Sequence, residues 1–204
     1  MNSPNRACPR FTVAIIAGGQ SSRMGRDKAF LELGGQTLIE RVVAAGAGLG
    51  QSETILITNK PDEYRHLELP MYTDVIPGKG SLGGIYSALA RATNPAALVL
   101  ACDMPFVKTG LLRFMIAQLD QDTDIVVPRV DGYPQAMHAI YRKTCLAPIR
   151  AQLDENRLKI IRFYDKMRVT YLDEADYAPY DPEGLSFTNL NTPAELERAR
   201  RLIE

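Results

Sequence analysis

The chain has 204 residues, 46% apolar and 24% charged, a globular composition long enough for one well-filled core and short for two ordinary domains. Lys plus Arg and Asp plus Glu both total 24, so no overall field draws the chain to nucleic acid or to an anionic membrane, and no apolar run approaches the ~20 residues that span a bilayer. Cys8, Cys102 and Cys145 form no C-x-x-C pair, which fits neither a disulfide framework nor a zinc site and leads us to expect a reducing, cytoplasmic compartment.

Met1 to Arg10 holds two prolines, two arginines and no apolar block, so a disordered tail rather than a signal peptide is expected, with residues 11–204 as a single domain. Val13 to Ala17 is a continuous apolar run of the kind a strand buried on both faces of a parallel sheet requires. It breaks at Gly18-Gly19 into a loop with two serines and the bases Arg23, Arg26 and Lys28 against the single acid Asp27. Small residues for close backbone approach and local positive charge suit a phosphate group. Phe30 to Gly35 reads as a short extended piece and a turn. Thr37-Leu-Ile-Glu40 is a capping-box pattern, and Ile39, Val42, Val43 and Gly46 fall on one helical face.

Glu53 to Thr58 reads as the second strand and places Thr58 and Asn59 at its carboxyl end, where open α/β sheets bind ligands. Met71 to Val75 is a third strand containing Asp74. Pro77 to Gly84 is a second glycine loop that opens a helix with Ser81 as the expected N-cap and Leu82, Ile85 and Leu89 as its buried stripe. Ala96 to Ala101 is a fourth, wholly apolar strand that delivers Asp103 to the same edge. Thr109 is expected to cap a helix whose stripe is Leu112, Met115, Ile116 and Leu119.

Asp124 to Pro128 and Gln135 to Tyr141 are expected to pair as a hairpin around Val130-Asp-Gly-Tyr133. Cys145 to Leu153 and Leu158 to Asp165 read as helical, Val169 to Leu172 as a strand, and the acidic stretch Asp173 to Gly184 as loop. Thr192-Pro-Ala-Glu195 is a capping box with proline at the first helical position, followed by the stripe Leu196, Ala199 and Ile203. Strands alternating with helices predict a doubly wound, mostly parallel α/β sheet with ligand at the carboxyl ends, mixed in its second half.

Two familiar phosphate motifs are excluded. Gly18-Gly19-Gln20 is not G-x-G-x-x-G, and Gly78-Lys79-Gly80-Ser81 lacks the spacing of a Walker A loop. Asp103 at a strand end serves either as a turn cap or as the carboxylate that a hard Mg2+ ion takes beside phosphate oxygens. Asn189 and Asn191 are either capping residues of the last helix or site residues. His66 and His138 are expected to be surface or hydrogen-bonded histidines, and Cys102 a small core residue.

The string Ala-Gly-Gly-x-Ser-x-Arg-Met-Gly-x-Asp-Lys, Ala17 to Lys28, resembles the signature of the molybdenum cofactor guanylyltransferase (MobA) family of the nucleotidyltransferase superfamily. Gly80 to Gly84, Cys102-Asp-Met-Pro105 and Phe187-x-Asn-x-Asn-Thr-Pro-x-x-Leu196 resemble it too, in order and over nearly the whole chain. Departures are Gln135-Ala-Met137, where the family often has Gln-Pro-Leu, and Gly80-Ser-Leu-Gly-Gly84, where it has Gly-Pro-Leu-Ala-Gly.

The resemblance implies a Rossmann-like nucleotidyltransferase fold and transfer of GMP from GTP to molybdopterin, giving the guanine dinucleotide cofactor and pyrophosphate. It implies nucleotide contacts from Ile16, Ala17, Gly18, Gly19, Lys28, Thr58, Asn59, Asp74, Gly80, Gly84 and Asp103, with Asp74 near guanine or ribose. It further implies catalytic roles for Lys28, Arg23 and Asp103, Mg2+ on Asp103, and the second substrate near Asn189 and Asn191. Ala17-Gly18-Gly19 is similar to members that select guanine, whereas Ala-Ala-Gly marks those that select cytosine. The alternatives are a CTP-dependent cytidylyltransferase, a sugar-phosphate nucleotidyltransferase, or a non-catalytic protein that delivers cofactor. A molybdoenzyme apoprotein or another cofactor-biosynthesis protein is the implied protein partner, with Asp173 to Gly184 a candidate docking loop.

Overall fold

The computed structural model describes residues 10–18, 28–51 and 53–203. The elements in chain order are β1 (Phe11–Ile16), β2 (Glu32–Leu33), β3 (Gln36–Thr37), α1 (Leu38–Gly46), β4 (Glu53–Ile57), β5 (Met71–Tyr72) and α2 (Gly80–Arg91). There follow β6 (Ala96–Ala101), α3 (Thr109–Ala117), β7 (Ile125–Val130), β8 (Tyr133–Pro134), β9 (His138–Arg142), α4 (Leu146–Asp154), β10 (Val169–Leu172), α5 (Glu174–Tyr177) and α6 (Pro193–Arg201). The main sheet runs β10-β7-β9-β6-β1-β4-β5, with β8 paired to β7, while β2 and β3 form a separate two-stranded piece.

β1 is parallel to both neighbours, β4 and β6, and β10 is parallel to β7; β9 is antiparallel to β6 and to β7. The expected mostly parallel α/β sheet with a mixed second half is therefore what forms. Every residue of β1 and of β6 is buried, which is why both read as unbroken apolar runs rather than as alternation. Val13 and Ile15 pack with Ile39 and Val42 of α1 and Leu112 and Met115 of α3 on one face. Ala14 and Ile16 pack with Leu82 and Ile85 of α2 and Ile149 and Leu153 of α4 on the other. A smaller cluster, Leu33, Leu38, Phe106, Leu190, Leu196 and Ala199, seats α6.

The capping boxes of α1 and α6 form as expected: the Glu40 carboxylate accepts from Thr37 N at 2.7 Å and Glu195 from Thr192 N at 2.9 Å. Other local expectations fail for identifiable reasons. The third strand stops at Tyr72 because the amides of Asp74 and Val75 donate to the Asn59 and Ser87 side chains instead of to a strand. Ser81 does not cap α2, which starts one residue earlier, at Gly80, with Lys79 at the cap position and no side-chain cap. Thr109 is the first residue of α3 rather than its cap, and its hydroxyl donates to Ala45 O on α1 at 3.1 Å.

The hairpin turns at Asp131 and Gly132, both with positive φ, but β8 is only two residues long and β9 begins at His138. The segment expected to be helical at 158–165 forms 3-10 turns over Ile160–Lys166. Within Asp173 to Gly184 the short helix α5 forms, Asp173 N donating to Asp176 Oδ2 at 2.8 Å. Ile203 lies past the end of α6 and is exposed rather than part of its buried stripe. Cys145 is buried, its thiol pushed up to about 12 by desolvation, and Cys102 is half-buried; Cys8 lies outside the described residues. No helix among the described residues is long and apolar enough to cross a membrane.

His138 departs from expectation: it is buried, and neither ring nitrogen has a hydrogen-bond partner among the described residues. Its ring sits edge-on to Phe187 with centroids 5.1 Å apart. Desolvation holds its pKa down to about 4 against the attraction of Asp181, from an ordinary value of 6.5. The unfolded chain therefore takes up this proton first, and the folded state loses stability as pH falls from 6.5 toward 4. His138→Leu removes an unpaired buried donor and is expected to stabilise the protein by about 1 kcal/mol at neutral pH. It should also flatten the acid-side loss, which urea denaturation at pH 7 and pH 5 will read; equal pH slopes for the two proteins would contradict this placement.

Candidate active site

The parallel ladder ends at one edge. Ile16 of β1 is in register with Ile57 of β4 and Ala101 of β6, and the pairing runs one step further through Ala17 N to Ile57 O (2.9 Å) and Cys102 N to Ile16 O (3.2 Å). Beyond that step the strands diverge into loops, and the backbone of Ala17 and Gly18 emerges between them. Ala17 is buried and Gly18 is exposed, and among the described residues, its chain neighbours aside, no atom lies within 4 Å of the position a Cβ would take. Gly19, Arg23, Arg26 and Asp27 lie outside the described residues.

Lys28 follows immediately, and its Nζ donates to Asn191 Oδ1 at 2.6 Å. Asp103 sits in the turn after β6, with Met104 and Phe106 buried beneath it. Its carbonyl accepts from Leu190 N at 3.0 Å, which fixes the Asn189-Leu190-Asn191 segment beside the turn. Asn191 N in turn donates to Glu195 at 2.6 Å. Lys28, Asp103, Asn189 and Asn191, separate in sequence, are thus gathered by a few bonds. Burial pushes the Asp103 carboxyl above its usual range, Lys28 opposes that shift, and Glu195 adds to it.

On the other side of β1, Asn59 and Asp74 face each other. Asn59 Nδ2 donates to Asp74 Oδ2 at 2.9 Å and Asn59 Oδ1 accepts from Asp74 N at 3.1 Å. Thr58 is buried and its hydroxyl accepts from Lys60 N at 3.2 Å, so it shapes the turn that presents Asn59. Gly80 opens α2 at φ +56°, a left-handed value suited to glycine. Gly84 is buried one turn into α2, where a Cβ would come within 3.0 Å of Ile16 Cγ2; its visible job is to let the helix lie against the end of β1.

Two contributors escaped the sequence reading. Arg41 of α1 donates from Nε to Pro105 O and from Nη1 to Leu33 O, both at 3.2 Å, bracing the Asp103 turn from behind. Ser87 of α2 lies under Asp74. Neither carries a local pattern, because each partner is distant along the chain.

Among the described residues no group of three or more His, Cys, Asp and Glu side chains comes together. One desolvated carboxylate with neighbouring amide oxygens is the donor set of a hard cation that keeps several waters and completes its shell with phosphate. Asp103, whose carboxyl is desolvated and whose carbonyl holds the segment between Asn189 and Asn191, has the chemistry of such a donor.

Residues 13–168 match the family described as the MobA-like NTP transferase domain. The chain belongs to that family. It is 37% identical over 193 residues to the probable molybdenum cofactor guanylyltransferase of Pelotomaculum thermopropionicum, covering 95% of this chain and 93% of that protein. It is 34% identical over 194 residues to the molybdenum cofactor guanylyltransferase of Desulfosudis oleivorans, covering 95% and 96%. Among solved structures, molybdopterin-guanine dinucleotide biosynthesis protein A of Archaeoglobus fulgidus superposes with a TM-score of 0.80 at 28% identity, over 94% of this chain and 98% of that one. The mixed sheet with flanking helices is thus the Rossmann-like nucleotidyltransferase fold of the MobA family.

Burial penalises the charged form of the Asp103 carboxyl. Asp103→Asn is therefore expected to melt at or above the wild type without nucleotide, and to lose any added stability that GTP with Mg2+ gives the wild type. Thermal melts with and without both ligands read this, and a nucleotide-free variant melting well below the wild type would mean that the carboxylate is a structural residue.

Proposed function

We propose that this chain transfers the guanylyl group of GTP to molybdopterin, forming the guanine dinucleotide form of the molybdenum cofactor and releasing pyrophosphate. The names and similarity of the relatives support the reaction, and the observation that carries it to particular residues is the gathering of Lys28, Asp103 and Asn191 at the end of the parallel strands. Residues 11–204 act in this reading as one unit, in the cytoplasm.

The reaction joins two anions. A terminal phosphate oxygen of the pterin attacks the α-phosphorus of GTP, the bond from that phosphorus to the oxygen bridging it to the β-phosphorus breaks, and pyrophosphate leaves with that oxygen. Little covalent help is needed, so alignment and charge neutralisation supply the rate. Lys28 holds the phosphates and balances the leaving group, with Arg23 in the same role. Asp103 would hold Mg2+, with Asn189 or Asn191 nearby, and the ion would supply positive charge toward the phosphates. Lys28 donates to Asn191, which sets its charge beside the acceptor segment.

The backbone of Ile16 to Gly18 would read the base, together with Gly19, which lies outside the described residues. Asp74, held by Asn59, offers two acceptor oxygens. Guanine presents its N1–H and its 2-amino group side by side, whereas cytosine presents one amino group beside an acceptor nitrogen, so a fixed carboxylate favours guanine. Gly80 and the uncapped start of α2 provide main-chain donors at the same edge.

Lys28→Ala and Asp103→Ala are each expected to lower turnover at least ~100-fold with the fold intact, about 2.7 kcal/mol of transition-state stabilisation. Pyrophosphate release with molybdenum-loaded molybdopterin as acceptor is the measurement, and a folded Asp103→Ala protein at full Mg2+-dependent rate would end the metal assignment. In the same assay GTP should outcompete CTP. Preference for CTP would make the chain a cytidylyltransferase, and tight GTP binding without pyrophosphate release would make it a carrier.

A further inference from the structure

Ser87 lies in the middle of α2 with no exposed surface. Its hydroxyl oxygen meets three groups. It accepts from Val75 N at 2.9 Å, lies 2.8 Å from the Gly83 carbonyl one turn earlier in the helix, and lies 3.3 Å from Asp74 Oδ1. A hydroxyl carries one proton, so Gly83 O and the Asp74 carboxylate share or compete for it. Back-bonding to the preceding turn is all that a helix serine ordinarily does. The other two contacts tie the helix to the loop that carries Asp74.

Asn59 holds Asp74 from the opposite side, through Oδ2 and through the backbone amide. Each carboxylate oxygen therefore has one side-chain neighbour, and the rotation of the carboxylate plane, a broad torsion in a free aspartate, is limited from both ends. Of the two restraints Asn59 is exposed and Ser87 is buried. Water competes for the first and not for the second. The amide of Val75, directly after Asp74, is fixed by the same hydroxyl.

We propose that Ser87 is a positioning residue for base choice: it sets the orientation of the Asp74 carboxylate so that two adjacent N–H donors of a purine edge are accepted together, without itself touching the nucleotide. This rests on the reading of Asp74 as the base acceptor given above. The discriminating ligand pair is GTP and ITP, which differ only by the 2-amino group. A carboxylate at a fixed angle accepts from both donors of guanine, while one free to turn gains little from the second.

Equilibrium binding of GTP and of ITP, with Mg2+, to the full chain tests this on wild type, Ser87→Ala, Asp74→Asn and the double variant. The wild type should prefer GTP, and Ser87→Ala should shrink that preference by about fivefold, chiefly by weakening GTP. The double variant should discriminate no less than Asp74→Asn alone, because Ser87 acts through Asp74. A serine that served only the fold would weaken both nucleotides alike, so an unchanged ratio in folded Ser87→Ala overturns the proposal, as does a further loss of discrimination in the double variant. If Ser87→Ala does not fold, Ser87→Cys, a weaker donor and acceptor, is read in the same way. Discrimination lost in Asp74→Asn and kept in Ser87→Ala overturns the Ser87 assignment alone; discrimination untouched by Asp74→Asn overturns the reading of Asp74 as well.

Discussion

The double burial of β1 between two parallel neighbours is the constraint on which the site depends. A strand flanked by β4 and β6 on its edges and by helices on both faces has no freedom to shift its register, since a slip would move apolar side chains and leave ladder groups unpaired. The last paired groups, at Ala17 and Cys102, therefore end at a fixed height. Loops leaving from that height can place functional groups reproducibly although they carry little packing of their own. Gly84 makes the same point from the helix side, since its missing Cβ lets α2 close on Ile16 at the very end of the strand.

The functional groups are held at this edge by hydrogen bonds that cross the chain rather than by burial. Leu190 N on Asp103 O attaches the segment before α6, and Lys28 on Asn191 attaches the residue after the first loop to that same segment. Asn59 on Asp74 does so for the opposite flank. Such bonds are each worth about 1 kcal/mol net; their value here is placement more than stability. Asp103 carries the opposite balance. Its carboxyl is desolvated, and Glu195 adds to the upward shift that Lys28 opposes, so burial here works against the charged form instead of serving stability.

How much was legible in the sequence follows from which interactions are local. The apolar runs at Val13 to Ala17 and Ala96 to Ala101 announce doubly buried strands because burial on both faces removes alternation, and Thr37 and Thr192 announce helix starts because a capping box closes within four residues. The basic glycine loop and Asp103 suggested chemistry because their residue types sit together in short stretches; most of that loop lies outside the described residues. Ser87, Arg41 and the shortening of β5 were not legible. The Asp74 and Val75 amides look available for a strand until Asn59 and a helix serine are found to take them. His138 was misread because a histidine within an apolar strand carries no sign of whether its partner exists. Gly84 was assigned to the nucleotide through its motif, and its packing role shows only when Ile16 is seen against it.

The mixed topology explains why the two flanks of the edge differ. The base flank is built where strands run parallel, so it receives the carboxyl ends of β4 and β5 and the start of α2, which supply Asn59, Asp74 and uncapped main-chain donors. On the other flank β9 runs against β6, and Ala101 N pairs with Met137 O just before β9 begins. What reaches the edge there is the Gln135-Ala136-Met137 turn and the segment from Thr188 to Asn191, beside the edge-on ring pair of His138 and Phe187. This is the flank assigned to the acceptor, and Gln135-Ala-Met137 is where the sequence departs from the common Gln-Pro-Leu pattern. The parallel half fixes its strand ends by register, whereas the antiparallel half reaches the same edge through turns.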